Sequence, residues 1–171
     1  FISGSPFADF AVLMASTAPE ASTEREISAF FVDLSAPGVE VVSGYKTMAG
    51  QSHTGDIHLN AVRVPVQQLI GEPGRGLGLA LGRITVNRLL HCPAMLGLAQ
   101  CALRDARDYA LSRQQFGRSI AQFQSIQHML ADMATDWMAA RALMVQTARA
   151  LDAGLDARAQ ASMSKLFCSE K

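Results

Sequence analysis

Cysteine is scarce in this 171-residue chain: Cys92, Cys101 and Cys168 form an odd set with no short metal-ligand spacing among them. That excludes a disulfide framework and a cysteine-built zinc site, and it makes a reducing compartment the expected surroundings. All three read as small apolar residues of the interior rather than as nucleophiles. No metal site is expected. No run of 18 apolar residues occurs, so no segment reads as a membrane span. Basic runs never exceed two residues and the formal net charge is zero, which excludes an electrostatic footprint for nucleic acid.

What is present is a folded composition, 49% apolar and 18% charged, ample for a packed core and too weakly charged for disorder. The charge is unevenly spread. Residues 1–70 carry three Lys/Arg against seven Asp/Glu, and residues 71–171 carry twelve against eight. The mildly basic second half favours a small anionic ligand. The chain opens on Phe1 rather than Met and stops at Lys171 within a helical pattern. It therefore reads as a fragment, with any targeting signal out of view.

The hydrophobic period changes once along the chain. Phe10–Ala15, Ala29–Leu34, Val39–Ser43 and Ile57–Val64 are short, rich in Val, Ile and Phe, and read as strands. The last alternates apolar and polar residues, the pattern of a strand with one wet face. Pro37-Gly38 supplies a turn, and the polar stretch Ala18 to Glu26 reads as a solvated hairpin loop. From Gly74 onward the period is helical. Leu77–His91 and Pro93–Ser112 form one long stretch, with a kink or a break and restart expected at Pro93. A second helix places Ile120, Phe123, Ile126, Leu130, Met133, Trp137, Ala140, Met144, Thr147 and Leu151 on one stripe, with Ser119 and Gln122 as a capping box. Gly154 closes it and a third helix begins at Asp156. The expected fold class is α+β and multidomain: a small antiparallel β-sheet or barrel in residues 1–70, then an antiparallel helical bundle in residues 71–171, joined near residues 66–74.

The link between the first two helices, residues 113–124, is dense in special residues: Arg113, Gln114, Gln115, Phe116, Gly117, Phe123 and Gln124. Two readings of Arg113 stand side by side. A cation against the C-terminal dipole of the preceding helix contributes roughly 0.3–1 kcal/mol. A guanidinium on a phosphate contributes roughly 1.5–3 kcal/mol per charge-assisted hydrogen bond. Phe116 is either a plug for the bundle end or a stacking surface, and Gln124 is either part of a wet helix face or part of the same site. Taken as a set, they point to a ligand.

The link reads R-x-x-F-G-x-x-I-x-x-F-Q, which resembles the first elbow of the C-terminal bundle in acyl-CoA dehydrogenases. The likeness extends over the chain in order. Phe1-Ile2-Ser3 is similar to the W-I-S/T segment beside the flavin, and Pro37-Gly38-Val39 to the family's P-G-V/I turn. Val62-Arg63-Val64-Pro65, Leu69-Ile70-Gly71 and Gly74-Arg75-Gly76 resemble its crossing from β-domain to bundle. Arg88, Gly97-Leu98-Ala99-Gln100 and Tyr109-Ala110 through Arg113 resemble its first bundle helix.

The resemblance implies an acyl-CoA dehydrogenase-like fold, incomplete here, and an FAD-dependent α,β-dehydrogenation of an acyl-CoA thioester. It implies that Arg113, Gln114, Gln115, Phe116, Phe123 and Gln124 touch FAD of a neighbouring subunit, and that Phe1, Ile2 and Ser3 border the flavin of their own. It implies that Thr85, Val86, Asn87 and Arg88 line the acyl-CoA site. Arg88 lies on a largely apolar helix, so either an anionic ligand or a structural salt bridge is expected to pair it. His91 reads as structural. The implied assembly is a homodimer or homotetramer handing electrons to an electron-transfer flavoprotein, in the cytoplasm or, in a eukaryote, the mitochondrial matrix.

The reaction needs a carboxylate touching the α-proton. In a minority of the family that base stands where Asn87 stands, and an amide cannot accept the proton. No Asp or Glu occurs in residues 78–100. The chain is therefore expected to be inactive alone, with no catalytic residue of its own and the base elsewhere in the parent protein. An acyl-CoA oxidase or a flavin monooxygenase of the same superfamily, and a non-catalytic helical assembly module, are the alternatives.

Overall fold

The structure is a computed structural model, and it describes residues 1–18, 26–48, 50 and 53–171. Two units divide the chain, Phe1–Leu81 and Gly82–Lys171. The first holds β1 (Ile2–Ser3), β2 (Phe10–Ser16), β3 (Ile27–Asp33), β4 (Val39–Tyr45), β5 (Thr54–Leu59) and β6 (Leu69–Ile70). These form two three-stranded antiparallel sheets, in the orders β1-β5-β4 and β2-β3-β6. The period-2 strands and the switch to helices after them are as the sequence predicts.

In β2, Ala11, Leu13 and Ala15 turn inward while Phe10, Val12 and Met14 stay exposed, and Phe10 stacks on Phe31 of β3 with ring centroids 4.6 Å apart. Thr17 and Ser28 share a hydroxyl hydrogen bond of 2.7 Å at the open end of this hairpin. The loop expected between Ala18 and Glu26 lies largely outside the described residues. β5 differs from its prediction. It ends at Leu59, not Val64: the Asn60 amide still donates in register to the Gly38 carbonyl at 2.8 Å, and Ala61 then turns left-handed at φ 50°, which takes the chain off the ladder.

The crossing into the helical part is tight. The Gly74 amide donates to the Ser28 hydroxyl at 2.9 Å. A Cβ on Gly76 would lie 2.6 Å from the Ala29 nitrogen and the Ser28 carbonyl carbon. The first helix, α1 (Gly76–Ser112), starts from this contact and runs unbroken through Pro93. The expected break is absent, since one missing amide removes a single bond from a 37-residue ladder.

In the second unit α1 packs with α2 (Gln124–Asp152) and α3 (Arg158–Glu170). Cys92 and Leu96 of α1, Ala140 of α2 and Cys168 of α3 form the buried centre, flanked by Leu89, Met95, Trp137, Met144 and Phe167. The α2 stripe is buried or half-buried as predicted, with Met133 at its exposed margin. Trp137 Nε1 donates to the Leu96 carbonyl at 3.0 Å, tying α2 to α1. Ala157, Ala161, Ser164 and Cys168 are buried at steps of four, three and four. Such small side chains let α3 approach closely, and Thr147 and Ser164 satisfy each other there at 2.8 Å. At the end of α2 the Leu155 amide reaches Ala150 and the Gly154 amide reaches Leu151, a Schellman pair. Cys101 corrects one expectation: it is exposed, whereas Cys92 and Cys168 are buried.

Two glycines at the start of α1 separate close approach from helix propensity. Gly76→Ala should destabilise by about 1–3 kcal/mol, because its methyl meets backbone that cannot move aside. Gly78 has nothing within 4 Å of its would-be Cβ, so Gly78→Ala should stabilise by about 0.5–1 kcal/mol. Urea unfolding checks both; equal effects would contradict the packing assigned to Gly76.

Candidate functional site

The elbow between α1 and α2 is a β-hairpin, which the sequence did not reveal. β7 (Gln114–Gln115) and β8 (Arg118–Ser119) pair antiparallel, with Gln114 opposite Ser119 and Gln115 opposite Arg118. The Ile120 amide extends the ladder to the Arg113 carbonyl at 2.9 Å. Only Phe116 and Gly117 remain for the turn, and both are left-handed, at φ 53° and 76°. That is the type I′ geometry that suits a two-residue hairpin. Gly117 accepts it freely. Phe116 does not, since a bulky residue with positive φ is an outlier held there by its surroundings. The turn holds its ring 91% exposed.

Ser119 locks the hairpin to the helix before it. Its hydroxyl donates to the Ala110 carbonyl at 2.7 Å and accepts the Ala121 amide at 3.3 Å. The predicted capping role thus moves: Ser119 caps a short 3-10 turn, Ile120–Gln122, and α2 begins at Gln124 after Phe123. The hairpin's own strands are too short to carry an alternation, which is why they escape a periodicity reading.

The hairpin is cationic without compensation. From Tyr109 through Ala131 the chain has Arg113, Arg118 and His128 and no Asp or Glu. Both arginines are exposed, and among the described residues neither joins an ion pair. The Arg118 guanidinium lies over the Phe123 ring, 4.2 Å from its centroid. Phe116 meets the same ring edge-on, with centroids 6.1 Å apart and planes at 84°. Arg113, Gln114, Gln115, Phe116, Phe123 and Gln124 are therefore brought together, all exposed except the half-buried Phe123. Arg118 belongs with them and was not among the residues singled out from sequence; the acid-free window is the signal that marks it. Guanidinium and amide donors beside exposed rings, with no carboxylate, are chemically suited to a phosphate-bearing ligand with an aromatic base.

Thr85, Val86, Asn87 and Arg88 lie on α1, far from the hairpin. Arg88 precedes the end of α1 at Ser112 by 24 residues, about 36 Å at 1.5 Å per residue. Thr85 is buried, Asn87 half-buried, and Val86 and Arg88 exposed. Arg88 Nη1 donates to the Ser162 hydroxyl of α3 at 2.9 Å. The structural partner is thus a hydroxyl rather than a carboxylate, and exposure removes the desolvation penalty expected of a buried cation. His91 is exposed. Burial pushes the Cys168 thiol up to about 11, with the neighbouring Cys92 adding to the effect, which disfavours a thiolate nucleophile there.

In the first unit Phe1, Ile2 and Ser3 are exposed. Ile2 pairs with Gly55 and Ser3 with Thr54, and the Phe1 ring packs on Tyr45 at 4.8 Å. Ile2 and Ser3 also line a cavity of about 300 Å³ that includes Phe10, Leu13, Val32 and Ile57. The Tyr45 hydroxyl donates to Asp56 Oδ2 at 2.8 Å. That bond holds the Asp56 carboxyl below its usual range and raises the Tyr45 phenol above its own. Among the described residues no three His, Cys, Asp or Glu side chains gather as metal ligands, and no helix is long and apolar enough to cross a membrane.

Residues 74–171 match the family described as acyl-CoA dehydrogenase, C-terminal domain. The chain is 40% identical over 171 residues to the caffeyl-CoA reductase-Etf complex subunit CarC of Acetobacterium woodii, covering 99% of this chain and 45% of that protein. The structure of butyryl-CoA dehydrogenase from Megasphaera elsdenii superposes with a TM-score of 0.87 at 30% identity, over 99% of this chain and 44% of that one. The structure of PigA with FAD and proline superposes with a TM-score of 0.91 at 30% identity, with the same two coverages of 99% and 44%. The chain thus spans less than half the length of these relatives.

The Tyr45–Asp56 pair beneath Phe1 sets a pH dependence. The Asp56 carboxyl is lowered, so its contribution is present above the ordinary value of 3.8 and is lost as pH falls through the folded one. The raised Tyr45 phenol contributes below its ordinary value of 10.0 and stops as pH rises through the folded one. In a side-chain NMR titration Asp56 should titrate below the usual carboxylate range, and Tyr45→Phe should move it upward. An unchanged Asp56 midpoint in the variant would contradict the assigned cause.

Proposed function

This chain belongs to the acyl-CoA dehydrogenase family, and from that premise we propose that it works as part of an FAD-dependent acyl-CoA dehydrogenase of its relatives' length. In this reading residues 1–70 belong to the middle β-domain and residues 71–171 to the C-terminal helical domain. The reaction removes an α-proton and a β-hydride from an acyl-CoA thioester. FAD, when bound, supplies the hydride acceptor.

The chain's own residues bind and orient. Arg113 would hold a phosphate of the diphosphate, with Gln114, Gln115 and Gln124 as amide donors beside it and Phe116 and Phe123 as ring surfaces for the base. Phe1, Ile2 and Ser3 would border the flavin of their own subunit, with the Ser3 hydroxyl available to donate toward it. Thr85, Val86, Asn87 and Arg88 face the acyl-CoA. Asn87 cannot take the α-proton, so the base comes from another part of the full-length protein. The fit with FAD rests on the donor set: an acid-free hairpin with free guanidinium groups beside an exposed ring is suited to an adenosine diphosphate moiety. The observation that carries the reading is Phe116, held out of the elbow by a strained left-handed turn.

An assembly of at least two protomers belongs to this reading. About 36 Å of α1 separates Arg88 from the hairpin. By the family resemblance the hairpin serves the flavin site of a neighbouring protomer, in a homodimer or homotetramer. Large apolar side chains exposed on the helices, such as Leu90, Leu98 and Leu166, support such an assembly. The CarC relative belongs to an Etf complex, which supports an electron-transfer flavoprotein as the electron acceptor. A cytoplasmic site, or the mitochondrial matrix in a eukaryote, suits that chemistry.

The full-length protein should purify yellow, with flavin absorbance, and reduce FAD on adding an acyl-CoA. Arg113→Ala should weaken FAD binding by about tenfold or more, the equivalent of one charge-assisted hydrogen bond, measured by flavin release on dilution. FAD retention unchanged by Arg113→Ala would remove the role assigned to the hairpin.

A further inference from the structure

We infer that Arg118 is a second phosphate-binding cation of the hairpin, held ready by its contact with Phe123. This rests on the FAD reading above and extends it to a residue outside the family-derived set. Side chains alternate between the faces of a paired strand, and residues directly opposite share a face. Gln115 lies opposite Arg118, and Arg113 lies two residues before Gln115 on a ladder that the Ile120 amide continues. Arg113, Gln115 and Arg118 therefore occupy one face of the hairpin. Two guanidinium groups on one small surface repel each other, and no acid from Tyr109 through Ala131 offsets them. Such an arrangement is stabilised by an anion between them, and a diphosphate presents two charged groups for two cations.

The contact with Phe123 explains why an arginine stands here. A guanidinium stacked on a ring retains its charge and its outward N–H donors while losing freedom of movement. At 4.2 Å from the Phe123 centroid, Arg118 is restrained before any ligand arrives. Phe123 in turn meets Phe116 edge-on, so the cation and the exposed ring are coupled through one half-buried side chain. Arg118 thus orders the phosphate end of the site and Phe116 the base end.

The test uses the full-length protein stripped of FAD, with FAD as ligand and ADP as a competing probe. Arg118→Gln should raise the dissociation constants of FAD and ADP by a similar factor, about tenfold, and should reduce their salt dependence. Arg118→Lys should fall between wild type and Gln, since it keeps the charge and loses the planar stack. Thermal unfolding of the stripped variants should match wild type. Affinities within twofold of wild type for Arg118→Gln, while Arg113→Ala still loses FAD, would overturn the inference and leave the FAD site standing. A loss of affinity matched by a loss of apoprotein stability would also overturn it, by making Arg118 structural. No effect from either arginine would overturn the FAD reading itself.

Discussion

A two-residue left-handed turn between two long helices is the constraint on which the site depends. Helix α1 must reverse direction into α2 within a few residues, and a type I′ hairpin does so with only Phe116 and Gly117 outside the ladder. Glycine takes that geometry without strain and phenylalanine does not. The elbow stays in place because the Ser119 hydroxyl bonds back to the last full turn of α1 and the Ile120 amide bonds to Arg113. One local arrangement therefore aims a ring and two cations outward together.

The helices make that aim steady. Around Cys92, Leu96, Ala140 and Cys168 the interior is built of small and medium side chains. Trp137 bonds to the α1 backbone, and Thr147 and Ser164 satisfy each other between α2 and α3. Among the described residues no buried side-chain nitrogen or oxygen lacks a partner. A rigid pair of rods is what a protruding hairpin needs if its side chains are to meet a ligand without first being ordered.

Much of this was legible in the residues. The strands announced themselves through Val, Ile and Phe at period 2, and the α2 stripe from Ile120 to Leu151 through steps of three and four. Polar and aromatic types from Arg113 to Gln124 crowd a link that needs neither, which is what marks that stretch as a candidate site in the sequence. What was not legible follows from what pattern cannot carry. Strands of two residues have no period, so nothing in the pattern marks Gln114–Gln115 and Arg118–Ser119 as strands. A left-handed Ala61 ends β5 early, just past the last in-register bond from Asn60 to Gly38. Pro93 marked an interruption that a long ladder tolerates. Burial is not written in the pattern, so a cation on an apolar helix is expected to need a charged partner, and the fold leaves Arg88 exposed against Ser162.

In the proposed reading the elbow of one protomer holds the nucleotide half of a dinucleotide bound by its neighbour. A crystal structure of the full-length protein with FAD bound tests it most directly. The account predicts the Arg113 guanidinium within hydrogen-bond distance of a phosphate oxygen, and the Phe116 ring against the adenine, of the FAD in the adjoining subunit. A hairpin facing bulk solvent, with every FAD wholly enclosed by its own protomer, would contradict it.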